Sequence, residues 1–180
     1  DVSNSIHKAV KSFVKHDHKM AEEVIEHDTV INDSEINLEN KCFEMIALQQ
    51  PVTSDLRMIV TVMKASSDLE RMGDHAVSIA RATIQLDDSK RIPEVEEKIS
   101  DMADTVKQMV DEALTAFVNK DMDAALKIAS ADSAVNKSYR TIYDYLMEKM
   151  KESPDMVESG LDYFQVSRFL ERIGDYVTNI

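Results

Sequence analysis

The chain has 180 residues, 43% of them hydrophobic, enough for a substantial core and too apolar for a disordered tail. Its 21 Lys and Arg against 34 Asp and Glu leave a net charge of −13, which argues against nucleic acid and against a bare anionic membrane as partners. The single cysteine, Cys42, excludes an intrachain disulfide and a cysteine-based zinc cluster, and no run of about 18 apolar residues offers a membrane span.

Three Gly, three Pro and no Trp, among many Ala, Met, Leu, Glu and Lys, predict an all-α protein of long helices. The first helical segment runs from about Val2 to Val14, and Asp1 to Asn4 lack the character of a signal peptide. Lys15 to His18 form a turn with Asp17 as N-cap of a second segment, about His18 to Gln49. Ala21, Val24, Ile25, Ile31, Ile36 (or Leu38), Cys42, Met45 and Ile46 give that segment an apolar stripe of helical period. Gln50 to Asp55 supply a proline turn and capping residues before a third segment that ends near Leu86. The polar stretch Asp87 to Pro93 is the best boundary in the chain. Beyond it a fourth segment covers about Glu94 to Asn119, a fifth about Met122 to Lys151 and a sixth about Met156 to Ile180, with breaks at Asn119–Asp121 and Glu152–Asp155. The helical pattern is unfinished at Ile180.

The two halves repeat. Glu70-Arg71-Met72-Gly73-Asp74 returns as Glu171-Arg172-Ile173-Gly174-Asp175, and Asp28 with Asn32 returns as Asp132 with Asn136. The expected architecture is therefore two pseudo-symmetric three-helix bundles, residues 1–88 and 92–180. Positions i and i+4 share one face of a helix, so Glu70 pairs with Asp74 and Glu171 with Asp175. Counting residues back and forward from Pro51 and Pro154 puts each Asp/Asn pair at the height of the Glu/Asp pair on the neighbouring antiparallel helix. Like charges at this spacing weaken a helix, and a bound hard cation is the usual compensation, for which carboxylate and amide oxygens are suitable ligands. The candidate metal-binding residues are Glu70, Asp74, Glu171, Asp175, Asp28, Asn32, Asp132 and Asn136. The bland alternative is that such pairs on an acidic helix simply face water. Glu35 and Glu39 add acidity to the first half, where the second has Tyr139 and Tyr143. Gly73 and Gly174, costly in a helix interior, are expected where a neighbouring helix comes close. His75 is matched by Tyr176 and is not required by the repeat. No Glu-xx-His, HExxH, phosphate-cradling loop or nucleophile elbow is present, and no catalytic residue is assigned.

Gln49-Gln50-Pro51-Val52-Thr53-Ser54-Asp55-Leu56-Arg57, and Ser67-Asp68-Leu69 leading into Glu70 to Ala76, closely resemble the PhoU family of phosphate-signalling regulators. Asp28-xx-Ile31-Asn32-xx-Glu35-xxx-Glu39 resembles that family's first-repeat helix, and the similarity covers nearly the whole chain. The resemblance implies two three-helix bundles with metal at the acidic motifs, iron or zinc first and manganese or magnesium next. It implies a cytoplasmic, non-enzymatic homodimer that restrains phosphate uptake by an ABC transporter through its ATPase and reports to a sensor histidine kinase. It also implies that the start of the first helix and the end of the last lie outside this chain. Two departures, Glu152-Ser153-Pro154-Asp155 in place of Gln-Gln-Pro and Tyr176 in place of His75, make equal metal affinity at the two motifs doubtful. Two other functions fit the residues: a metal-independent helical adaptor whose acidic motifs are a docking surface, and a metal-dependent phosphohydrolase. The second lacks an evident base or a Lys/Arg clamp.

Overall fold

The structure, a computed structural model, describes all residues from Asp1 to Ile180. It consists of six α-helices: α1 (Val2–Lys15), α2 (His18–Gln49), α3 (Ser54–Gln85), α4 (Pro93–Asn119), α5 (Met122–Glu152) and α6 (Val157–Val177). Short 3-10 turns at Asp88–Lys90 and Pro154–Met156 join α3 to α4 and α5 to α6.

The helix ends follow from local chemistry. Asp17 accepts the Met20 backbone N–H at 3.0 Å, and Asp121 accepts those of Asp123 and Ala124, each at 3.1 Å, so both close an orphan end of a helix. Pro93 opens α4 where its missing N–H costs nothing. Thr53 departs from the capping role expected of it: it sits at φ 51° and its side chain makes no capping hydrogen bond. The last helix stops at Val177, three residues before the predicted end, with Asn179 and Ile180 bonded back to Tyr176 and Val177 in a tightened final turn.

α1, α2 and α3 form one bundle, and α4, α5 and α6 the other. The bundles meet through equivalent helices, α1 against α4 and α3 against α6, as the sequence repeat demands of a pseudo-two-fold arrangement. One apolar core of 31 buried residues runs through both halves, including Phe13, Met72, Ile79, Ile99, Met109, Leu146 and Tyr163. Truncating one such residue, Met72→Ala for instance, costs about 2–5 kcal/mol.

The apolar stripe of α2 is only partly buried. Ala21, Val24, Ile31 and Cys42 lie in the interior, whereas Ile36 is 54% and Met45 43% exposed. The cause is neighbour length. α1 has 14 residues, about 21 Å, and cannot cover an α2 of 32 residues, about 48 Å, so distal α2 has only α3 beside it.

Candidate metal centre

The antiparallel hairpins bring the repeated residues together as the spacing predicts. A Cβ on Gly73 would lie 3.3 Å from Ile31 Cγ2 and 3.6 Å from Asp28 Oδ1. A Cβ on Gly174 would lie 3.1 Å from Asp132 Oδ1 and 3.5 Å from Val135 Cγ1. Each glycine is thus the point where α2 meets α3, or α5 meets α6, with the Asp of the neighbouring helix seated over its Cα. Asn32 Nδ2 donates to Asp28 Oδ2 at 3.2 Å, and Asn136 Nδ2 to Asp132 Oδ2 at 3.0 Å. The other oxygens, Asp28 Oδ1, Asn32 Oδ1 and Asp132 Oδ1, are buried with no hydrogen-bond partner. A buried acceptor left unpaired costs about 1–3 kcal/mol, more when charged. Two of these three atoms are at equivalent positions in the two halves, and acceptor oxygens of this kind are what a cation requires.

Electrostatics mark the same places. Burial, then Asp74, Glu35 and Asp28 in that order, push the Glu70 carboxyl above its ordinary range, against a weaker pull from Arg71. Burial and Asp175 push Glu171 up, opposed by Arg172 and Arg168. Burial and Asp175 also raise Asp132, against its hydrogen bond with Asn136. Glu35 is raised by burial and by Glu39, against pulls from Ser67 and Arg71. These shifts have two causes, burial first and the crowding of negative charge second, and both disfavour the ionised carboxylates. The side chains are not drawn into a finished cage, since no group of three or more His, Cys, Asp or Glu converges tightly enough to hold an ion as they stand. The residues fit a cation by donor chemistry and by their orphaned oxygens. Glu70, Asp74, Asp28 and Asn32 would hold it in the first half, and Glu171, Asp175, Asp132 and Asn136 in the second.

The two arginines inside the motifs behave differently. Arg71 pairs with Asp68 at 3.7 Å, and Arg172 with Asp175 at 3.8 Å. Asp68 has Phe169 as its counterpart, so Arg172 lacks that partner and turns to the motif's own carboxylate. His75 does not serve the carboxylates. Its ring stacks between Phe169 and Tyr176, with centroids at 5.6 and 5.7 Å, and burial pushes its pKa down. His75 and its counterpart Tyr176 meet each other where α3 crosses α6, and Arg71 lies 5.8 Å over the Tyr176 ring.

A second polar cluster was not foreseen. Glu96 on α4, with 5% of its side chain exposed, accepts from Arg91 Nε at 3.0 Å, Arg91 Nη2 at 2.6 Å and the Tyr163 hydroxyl at 2.7 Å. His16 Nε2 is 3.0 Å from the same carboxylate. Burial alone would raise Glu96, but the bonds from Arg91, Tyr163 and His16 outweigh it and hold the carboxyl below its usual range. The available signal was the position of Glu96 within the apolar stripe Ile92, Val95, Ile99 and Met102, where an unpaired carboxylate would not survive.

Residues 1–83 and 99–180 match the family model described as the PhoU domain. The chain is 38% identical over 176 residues to the phosphate-specific transport system accessory protein PhoU homolog of Clostridium acetobutylicum, covering 97% of this chain and 80% of that protein. It is 37% identical over 179 residues to the protein of the same description from Pseudomonas aeruginosa, covering 99% and 74%. The crystal structure of PhoU from Pseudomonas aeruginosa superposes with a TM-score of 0.94 at 36% identity, over 99% of this chain and 85% of that one. That of the phosphate transport system regulatory protein PhoU from Streptococcus pneumoniae gives 0.90 at 32%, over 99% and 83%.

Proposed function

This chain belongs to the PhoU family, and on that premise we propose that it is a non-enzymatic accessory of phosphate-specific transport whose two acidic motifs bind metal. The observation that carries the metal reading is the pair of orphaned oxygens, Asp28 Oδ1 and Asp132 Oδ1, buried at equivalent points beside the repeated Glu/Asp pairs. An ion there would offset the burial and the crowding that together raise Glu70 and Glu171. Iron or zinc is the proposed occupant, with manganese or magnesium acceptable to the same oxygens. The protein is proposed to act as a cytoplasmic homodimer that contacts the ATPase of the phosphate ABC transporter and a sensor histidine kinase. No helix is long and apolar enough to cross a membrane, so contact with those membrane complexes is proposed to be peripheral.

One observation favours a second reading. The carboxylates are grouped but do not converge on a common point, which suits an acidic surface that docks a basic patch directly. Co-purification of the transporter ATPase and the kinase with the intact chain, with and without chelator, separates the two. Under the metal reading chelation and the Glu70→Ala/Asp74→Ala variant weaken the same contact. Under the docking reading the variant weakens it and chelation does nothing. Failure of the ATPase and the kinase alike to co-purify under any condition would contradict the proposed role itself.

A further inference from the structure

The two halves of the repeat differ in kind along one face of the molecule. Helices α2, α3, α6 and α5 lie side by side, with α1 and α4 packed behind them. On the first half of the front, Glu35, Ile36, Glu39 and Phe43 share one side of α2 by their spacing. Ser67 of α3 stands next to Glu35, and Leu56 and Val60 lie on the same stripe of α3 as Ser67. This half is apolar and open: Ile36 is 54% exposed, Phe43 56% and Val60 45%.

The same points of the second half carry other chemistry. Tyr139 and Tyr143 replace the two glutamates and pack on Phe164 of α6. Arg140 stands at the position of Ile36, Arg168 at that of Ser67, and Leu161 at that of Val60. Tyr143 is 42% and Leu161 49% exposed. The arginines that form ion pairs within the chain are Arg71, Arg91 and Arg172, so Arg140 and Arg168 keep their charge free, as do Glu35 and Glu39. Both halves retain the Glu/Asp motif. What separates them is two further carboxylates on the first and two further guanidiniums on the second, each set beside exposed apolar side chains.

Exposed aliphatic, Tyr and Arg side chains in one patch are the composition of a protein interface. The matching surface is present on the chain itself. At a net charge of −13 two copies repel at long range, so their close approach needs a local match of opposite charge. First half against first half sets Glu35 and Glu39 against the same carboxylates of the other copy. Second against second does the same with the guanidiniums. First against second pairs opposite charges, and a two-fold axis makes that contact twice. A stable dimer covers about 800 Å² of each copy. Four helices at about 9 Å spacing, over the roughly 30 Å of α6, span about 1,000 Å².

We propose that two copies meet front to front, the Glu35 and Glu39 side of each against the Arg140 and Arg168 side of the other. The inference rests on the homodimer proposed above and assigns its surface. Ile36, Phe43 and Val60 leave water against Tyr143, Leu161 and Phe164, and the opposite charges fix which half meets which.

The test measures the dimer Kd of the intact chain by analytical ultracentrifugation, with helix content by circular dichroism. Ile36→Lys/Phe43→Lys adds positive charge to the first half, and Tyr143→Asp/Leu161→Asp adds negative charge to the second. Each variant alone raises the Kd by about tenfold or more at native helix content. Mixing the two in equal amounts restores the dimer, because lysines then meet aspartates. Arg140→Gln, a single exposed change that tests the surface even where a double variant loses helix, raises the Kd several-fold. A native chain that stays monomeric at every concentration overturns this inference and the homodimer reading together. A native dimer that Arg140→Gln and both double variants leave intact, or that mixing fails to restore, overturns the inference alone.

Discussion

The two bundles carry the same acidic phrase, yet the surroundings make them unequal. In the first, Glu70 feels Asp74, Glu35 and Asp28, and Glu35 in turn feels Glu39, while Arg71 is drawn off to Asp68. In the second, Tyr139 and Tyr143 stand in place of Glu35 and Glu39 and pack against Phe164, with centroids at 5.9 and 5.6 Å. Arg172 is turned onto Asp175, and Arg168 adds a second positive neighbour to Glu171. Both halves keep the Asp/Asn pair seated against the glycine of the Glu/Asp motif, and the residues around it differ in charge. Cation affinity at oxygen sites is tuned by the number of charged ligands, so the first bundle is expected to bind more tightly and the second to bind weakly.

The largest expected effect comes from deleting a motif. Glu70→Ala/Asp74→Ala removes the tight site, lowering total cation uptake by about tenfold or more at limiting metal. Glu171→Ala/Asp175→Ala removes only the weak one, as a metal titration of each variant would read. Next in size, Glu35→Gln/Glu39→Gln brings the first bundle toward the second. Its affinity falls several-fold, and Glu70, relieved of a neighbouring charge, titrates nearer its ordinary value by carboxyl NMR. Equal affinities before and after this change would break the comparison.

The pH dependence sharpens it. Glu70, Glu171 and Asp132 have raised values in the fold, so between the ordinary carboxylate values near 4 and those raised values the folded chain holds more protons than the unfolded one. The cost of keeping these buried, crowded carboxylates ionised is present in full at neutral pH. Metal-free protein therefore gains stability from these groups as pH falls through the raised values, and the gain levels off once the unfolded chain is protonated too. Glu96 has the opposite sign, and its contribution is lost only below the ordinary range. Melting temperatures at pH 5 and 7.5, with chelator, show the gain in the native chain and a smaller gain in Glu70→Gln/Glu171→Gln. With metal bound the slope reverses, because protons compete with the ion. The smallest effect is expected of Gly174→Ala. Its Cβ, 3.1 Å from Asp132 Oδ1, displaces that unpartnered oxygen, while helix propensity improves by about 1 kcal/mol. Stability then changes little, and the second bundle loses several-fold in affinity by the same titration.

What the chain disclosed on its own was whatever depends on neighbours in sequence or on one hairpin. Asp17 announces a helix start, Asn119 to Asp121 a break, Pro51 sets the height at which Asp28 meets Gly73, and the i,i+4 rule puts Glu171 beside Asp175. What it withheld depends on how whole helices meet. Ile36 and Met45 read as buried because their period is helical, but burial requires a neighbour, and α1 is too short to supply one there. His75 and Tyr176 looked like a mismatch in the repeat until the crossing of α3 and α6 placed each against the other. Glu96 was visible as a charge within an apolar stripe, but its partners come from α1, α6 and the joining segment, which no local pattern brings together.

The most direct test of the account is the metal content of protein purified without affinity tag or added metal, by ICP-MS, for the native chain and both Glu/Asp double variants. The account predicts iron or zinc in the native protein, most of it lost from Glu70→Ala/Asp74→Ala and little from Glu171→Ala/Asp175→Ala. A native protein that stays empty even after anaerobic reconstitution would contradict it and leave the repeated motif as a docking surface alone.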